Sequence, residues 1–183
     1  MLSESDRYLL RKLARDAIKY GLQHEAVIPV DLDALPESVL EPGACFVTLY
    51  LGGGLRGCIG SLEAYRPLAE DVAANAYAAA FRDYRFQPVS EEIVNDLDLH
   101  IAVLSPPELI NCDSEASLLA QLQPGTDGLI LEDGQYRATF LPAVWDSLPN
   151  PENFVAELKR KAGLPVNYWS DTLRCYRYHT ERF

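Results

Sequence analysis

Three consecutive glycines, Gly52 to Gly54, separate two runs of β-forming residues, Cys45 to Leu51 (CFVTLYL) and Leu55 to Gly60 (LRGCIG). Glycine reaches the left-handed backbone conformations that a tight reversal needs, so the two runs are predicted to fold back on each other as a hairpin. The same device recurs where Asp133-Gly134 separates Gly128–Leu131 from Tyr136–Leu141. Asp-Gly between β-forming runs is among the strongest short-range hairpin signals. Each hairpin is followed by a helical pattern and then by a further strand. After the first, Pro67 stands at the expected first helical position, and Leu68, Val72, Ala73, Ala76, Tyr77 and Ala80 carry an apolar face to about Phe81. The alanines of this helix allow it to approach a sheet closely. Leu97, Leu99, Ile101 and Val103 then alternate with Asp98, His100 and Ala102, a half-buried strand that Pro106-Pro107 ends.

After the second hairpin, Asn150 caps, Pro151 starts and Gly163 stops a helix bearing Phe154, Val155 and Leu158, and Leu173 to Tyr178 supplies a closing strand. Two more helices are expected. One runs from about Glu4 to Tyr20, opened by Ser3 and Asp6 as an acidic capping box and stopped by Gly21; a short one runs from Ser114 to Leu122. The stretch from Gln23 to Gly43 is polar and contains proline, yet Val30, Leu32, Leu35, Val39 and Leu40 imply that it packs on the body. Strands interrupted by helices of unequal length favour α+β, with antiparallel sheets and flanking helices, over a doubly wound sheet. The parallel between 42–105 and 124–179, each opened by a Pro-Gly pair, suggests a duplicated β-hairpin/α unit inside a single domain spanning 1–183, in two sub-lobes.

Composition narrows the function. The formal charge of -11 argues against a nucleic-acid partner, no segment concentrates Lys and Arg into the basic patch that phosphates require, and Lys159-Arg160-Lys161 falls in the last turn of a helix, where cations complement the dipole. The charged first twenty residues leave no room for a signal peptide, and no apolar run approaches the roughly 20 residues of a membrane span. A cytoplasmic protein with no membrane partner is the expectation. The cysteines, Cys45, Cys58, Cys112 and Cys175, form no CxxC, so neither a metal site nor a disulfide framework is expected. No Walker loop, dinucleotide fingerprint, nucleophile elbow or HExxH is present, and no cofactor is predicted.

Leu55 to Gly60 is the segment where chemistry is most readily imagined. In a regular strand Arg56, Cys58 and Gly60 share one face, with Arg56 and Cys58 roughly 7 Å apart at their Cα atoms. A guanidinium at that range favours the thiolate, the nucleophilic form of cysteine, while Gly57 and Gly60 let a ligand or another backbone come close. The plainer reading makes Cys58 a small buried hydrophobe and the glycines bends in the strand.

LRGCIG resembles the signature hexapeptide of the AMMECR-type domain family, whose bacterial and archaeal members are called AmmeMemoRadiSam system protein A. Asp83-Tyr84-Arg85-Phe86 with Pro88 is similar to that family's D-x-R-F-x-P segment, Ala138 to Pro142 to its A-T-[FY]-L-P segment, and Leu158 to Gly163 (LKRKAG) to its late lysine-bearing helix. The likeness covers about Pro42 to Phe183 with the motifs in the expected order. It implies a two-lobed α+β fold with a cleft between the lobes, and an association with a Memo-like protein and a radical-SAM protein. Any radical-SAM cluster would belong to that partner, because this chain has no three-cysteine cluster.

Within that frame Asp83 and Arg85 are either a surface pair worth roughly 0–1 kcal/mol or a site in which Arg85 grips a small anionic ligand. His100 is a general base for Cys58 if its strand neighbours Leu55–Gly60, and otherwise an exposed histidine. Glu63 lines the same cleft or is a solvated loop carboxylate. Two functional readings stand side by side: a thiol-dependent enzyme built on Cys58, and a non-catalytic module binding a protein or ligand.

Overall fold

The computed structural model describes residues 2–183 and is α+β, with four α-helices and two antiparallel four-stranded sheets among those residues. The chain divides into two compact units. One comprises the chain up to Leu104 together with Glu181–Phe183, and the other spans Ser105–Thr180.

In the first unit, helix α1 runs over Glu4–His24. Its capping box is complete: Ser3 Oγ accepts from the Asp6 amide at 3.1 Å and Asp6 Oδ2 accepts from the Ser3 amide at 2.9 Å. Gly21 does not end the helix, contrary to its expected role as a stop. The helix continues one turn and closes at Glu25 in the left-handed conformation (φ 53°). Gly21 instead marks a crossing, because a Cβ there would come within 2.5 Å of the Phe81 ring and 2.7 Å of Tyr77. The segment that follows makes two short 3-10 turns and packs down through Val39, which is fully buried.

Strands β1 (Ala44–Leu51) and β2 (Gly54–Gly60) form the glycine-turned hairpin, and Gly52 and Gly53 both take positive φ. Helix α2 (Leu68–Phe81) starts one residue later than expected, with Pro67 as its cap, and packs on β1 and β2. Strand β3 (Leu97–Leu104) pairs with β1, and the sheet order is β2-β1-β3-β8. The buried face carries Val47 and Leu49 of β1 and Leu97, Leu99 and Ile101 of β3 against Leu10, Ala14 and Ile18 of α1 and Val72, Ala73 and Ala76 of α2. The small side chains of α2 bring its backbone onto the sheet. The fourth strand, β8 (Thr180–Arg182), arrives from the far end of the sequence. There Ile101 and Phe183 exchange backbone hydrogen bonds of 2.8 and 3.0 Å, and Glu181 pairs with Arg7 of α1 at 2.7 Å.

The second unit contains β4 (Glu108–Ile110), α3 (Glu115–Gln121), the hairpin β5 (Gly128–Asp133) and β6 (Tyr136–Phe140), α4 (Pro151–Ala162) and β7 (Arg174–Tyr178), in the sheet order β4-β7-β5-β6. Helix α4 begins and ends as its sequence dictates, with Asn150 as cap, Pro151 first, and Gly163 at φ 82°. Its buried face meets β5 and β6, and Phe154 stacks on Trp145 at 3.7 Å. Lys159 is also on the inside, fully buried, with its ammonium donating to Glu115 at 2.5 Å and to the Val166 carbonyl at 3.1 Å. The hairpin, helix and third strand follow the same plan in both units: β2-β1-β3 in one, β6-β5-β7 in the other. Among the described residues no helix is long and apolar enough to cross a membrane.

Candidate functional site

Strand β2 lies at the edge of its sheet, so one side of its backbone has no neighbouring strand. Its pairing with β1 slips at one step. Gly57 faces Leu49 and Leu55 faces Tyr50, leaving Arg56 as the extra residue of a bulge. The strict alternation that placed Arg56 beside Cys58 therefore fails across this step. The Arg56 guanidinium is committed elsewhere, with Nη2 donating to the Pro88 carbonyl at 3.3 Å and Nη1 buried without a hydrogen-bond partner.

The guanidinium that reaches Cys58 is that of Arg85 instead, and it meets the backbone. After α2 ends, a turn closed by the Phe86 amide on the Asp83 carbonyl (3.1 Å) swings residues 83–86 against the open side of β2. The Cys58 amide donates to Asp83 Oδ2 at 2.9 Å, and the Cys58 carbonyl accepts from Arg85 Nη2 at 3.3 Å. The two side chains are locked together, with Arg85 Nε on Asp83 Oδ1 at 2.9 Å and Nη2 on Oδ2 at 2.7 Å. Asp83 and Arg85 thus occupy, at one residue, the place of the missing strand. The Asp83 side chain is 2% exposed, so this is no loose surface pair. Arg85 above all holds the Asp83 carboxyl well below the usual carboxylate range, overcoming burial, with the Cys58 and Arg85 amides adding to the effect. The Arg85 guanidinium is held above its ordinary value, chiefly by Asp83 and in smaller part by Cys58. The Nε–Nη2 edge that would grip an external carboxylate is already taken by Asp83.

Because both Cys58 backbone groups point outward, Cys58 and Thr48 form a non-hydrogen-bonded pair, the kind whose side chains lie closest. The Cys58 sulfur sits 3.3 Å from Thr48 Oγ1, and the residue is half-buried. Thr48 in turn pairs with His100 across β3. The strand bearing His100 does not neighbour β2, since β1 lies between them. Two strand spacings separate Cys58 and His100 by about 10 Å, which rules out a direct Cys-His dyad. His100 instead bonds Asp98 through Nε2 at 3.0 Å and packs edge-on against Tyr50.

The signature glycines admit protein. A Cβ on Gly57 would lie 2.1 Å from the Ala79 carbonyl oxygen of α2, and one on Gly60 would lie 2.3 Å from the Phe46 ring. Glu63 is exposed in the loop after β2.

A second cluster escaped the sequence reading. Asp71 of α2, fully buried, accepts from the Cys45 amide (2.9 Å), Ser61 Oγ (2.7 Å), Arg66 Nε (2.8 Å) and Asn75 Nδ2 (2.9 Å). It anchors the loop that leaves Gly60 to the start of β1. Its visible signal was Asp71 and Asn75, four apart on an otherwise alanine-rich face. Burial, first among the causes, pushes the thiols of Cys45, Cys112 and Cys175 up. No group of three or more His, Cys, Asp or Glu side chains among the described residues is arranged to hold a metal ion.

The AMMECR1 family model matches residues 11–183. A protein of Methanothermobacter thermautotrophicus is 36% identical over 188 aligned residues, spanning 100% of this chain and 95% of that protein. Protein MJ0810 of Methanocaldococcus jannaschii is 36% identical, covering 94% of this chain and 86% of its own. A Sulfolobus acidocaldarius protein is 39% identical, with 87% and 72% covered. The crystal structure of the uncharacterized protein PH0010 from Pyrococcus horikoshii superposes with a TM-score of 0.84 at 35% identity, covering 95% of this chain and 88% of that one.

Proposed function

We propose, from the premise that this chain belongs to the AMMECR1 family, that Cys58 is a nucleophilic thiol acting on a small anionic electrophile, with Arg85 as the cation at the reacting group. The observation that carries this reading is the Asp83–Arg85 fork, which fixes a guanidinium at the Cys58 carbonyl of a half-exposed strand. Asp83 takes the Nε–Nη2 edge, and the half-exposed Arg85 keeps Nη1 outside that fork as the donor that can meet the anionic group of a substrate at Cys58. In that step sulfur supplies the electron pair of the new S–C bond, the leaving group departs with the electrons of the bond it loses, and the thiol proton passes to water. The Cys58 amide is already bonded to Asp83 and is no oxyanion donor, so displacement suits the site better than acyl transfer.

Alkylation by iodoacetamide, followed cysteine by cysteine by mass spectrometry, tests the proposal. Cys58 should react faster than free cysteine at neutral pH and slow down in Arg85→Gln at unchanged helix content. A Cys58 that reacts only on unfolding would remove the chemical reading.

The alternative is a non-catalytic module that recognises a Memo-like or radical-SAM partner. It draws support from the completeness of the segment, whose backbone groups at Cys58 and whose glycines all serve internal contacts. Co-purification of Cys58→Ala with those partners at wild-type yield favours it, whereas loss of binding by a folded variant favours the first.

A further inference from the structure

A pocket of about 280 Å³ opens where α1 and α2 end, lined by Gly21, Glu25, Tyr77, Phe81, Arg82 and Pro88. We infer that it is a binding site for a small aromatic carboxylate. The inference does not rest on the reading above, although Pro88 also accepts from Arg56.

Its floor is aromatic. The Tyr77 and Phe81 rings lie 5.1 Å apart, inclined at 48°; Tyr77 is buried, so the half-buried Phe81 is the ring that a ligand ring can meet. They reach this position because Gly21 has no side chain, a glycine in a helix interior costing about 0.5–1 kcal/mol relative to alanine. The Tyr77 hydroxyl donates to the Glu25 carbonyl at 2.9 Å, which fixes the ring and uses its proton.

The charges at the rim select the ligand. Arg82 is exposed, and its guanidinium carbon lies 5.9 Å from the Tyr77 ring centre. A cationic ligand would be repelled by Arg82. A carboxylate meets a planar, permanently charged donor fork. Glu25 on the same rim disfavours a second negative charge, so a monoanion fits better than a dianion. Pockets for drug-sized ligands run about 300–1,000 Å³, and the smaller volume here suits one ring or a fused pair.

Sodium benzoate and its neutral isostere benzamide are the probes, titrated into the full chain and followed by amide chemical shifts. Benzoate should bind saturably, with shifts centred on Gly21, Phe81 and Arg82, and more tightly than benzamide. Arg82→Gln should weaken benzoate about tenfold, the worth of one charge-assisted hydrogen bond, and leave benzamide unchanged. Phe81→Leu should weaken both ligands. Equal benzoate affinity in wild type and Arg82→Gln, shifts centred elsewhere, or no saturable shift in the folded wild-type chain would each overturn the inference.

Discussion

At Asp83 one carboxylate accepts from the Cys58 amide, the Arg85 amide and two nitrogens of the Arg85 guanidinium. Replacing it by asparagine leaves these donors short of an acceptor in a nearly dry position. Asp83→Asn should therefore lose about 1–3 kcal/mol, read as a lower urea midpoint. The sign of the pH dependence follows from the depressed carboxyl. In the unfolded chain Asp83 takes up its proton near the ordinary carboxylate range, whereas the folded protein keeps it ionised to lower pH. Its contribution is complete above that range, declines as pH falls below it and is gone only once the folded-state carboxyl is itself protonated, so the melting temperature should drop less steeply on acidification in Asp83→Asn than in wild type. The residue-scale chemistry was only half legible in the sequence. LRGCIG and Asp83-Tyr84-Arg85 were visible as motifs, but a single bulged residue redirected Arg56. The burial of Asp83 depends on a turn that packs against an edge strand far back in the chain.

Secondary structure was the most legible level, because hairpins and helix ends are written locally. Gly52–Gly54 and Asp133-Gly134 turned as expected, and Asn150, Pro151 and Gly163 bounded α4 as expected. Gly21 misled because glycine serves packing as well as termination. The three-residue strands β4 and β8 carry no period of their own, and β8 exists only through a partner some eighty residues away. Helix–sheet contact is set by Gly57, whose closest would-be neighbour is a backbone oxygen that cannot rotate aside. Gly57→Ala should cost at least 1–3 kcal/mol, roughly the range for overpacking, and calorimetry should show an earlier transition. The hairpin strands at a sheet edge, β2 and β6, are each capped by a cation from after the hairpin: Arg85 on the Cys58 carbonyl of β2, and Lys161 on the Thr139 carbonyl of β6 at 2.9 Å. In the second unit, Lys159→Ala strands Glu115 beside a vacated core position. Its expected loss is about 3 kcal/mol, the low end for a broken buried pair because Glu115 is partly exposed. Urea unfolding followed by the fluorescence of Trp145 and Trp169 measures it.

At the scale of the whole molecule, we propose that the two units are copies of one hairpin–helix–strand plan, supported by their matching strand order and edge caps. Their sequences are too different for this to be read from residue identity. The units are also nested in the chain, since the first is left at Leu104 and resumed at Glu181. The Leu2 amide lies 3.3 Å from a Glu181 carboxylate oxygen, so a short linker from residue 183 to residue 2 is geometrically undemanding. A circular permutant opened between Leu104 and Ser105 would make each unit continuous. It should melt cooperatively within a few degrees of the parent; a permutant lacking a cooperative transition would contradict the division.

Strand β8 also sets an order of manufacture. A ribosome delivers Glu181–Phe183 only after all of Ser105–Thr180 has emerged, so the earlier-made sheet waits with Ile101 unpaired while the later one has everything it needs. The half translated first is the half finished last, and a stalled or clipped nascent chain would expose the edge of β3 to any extended segment nearby.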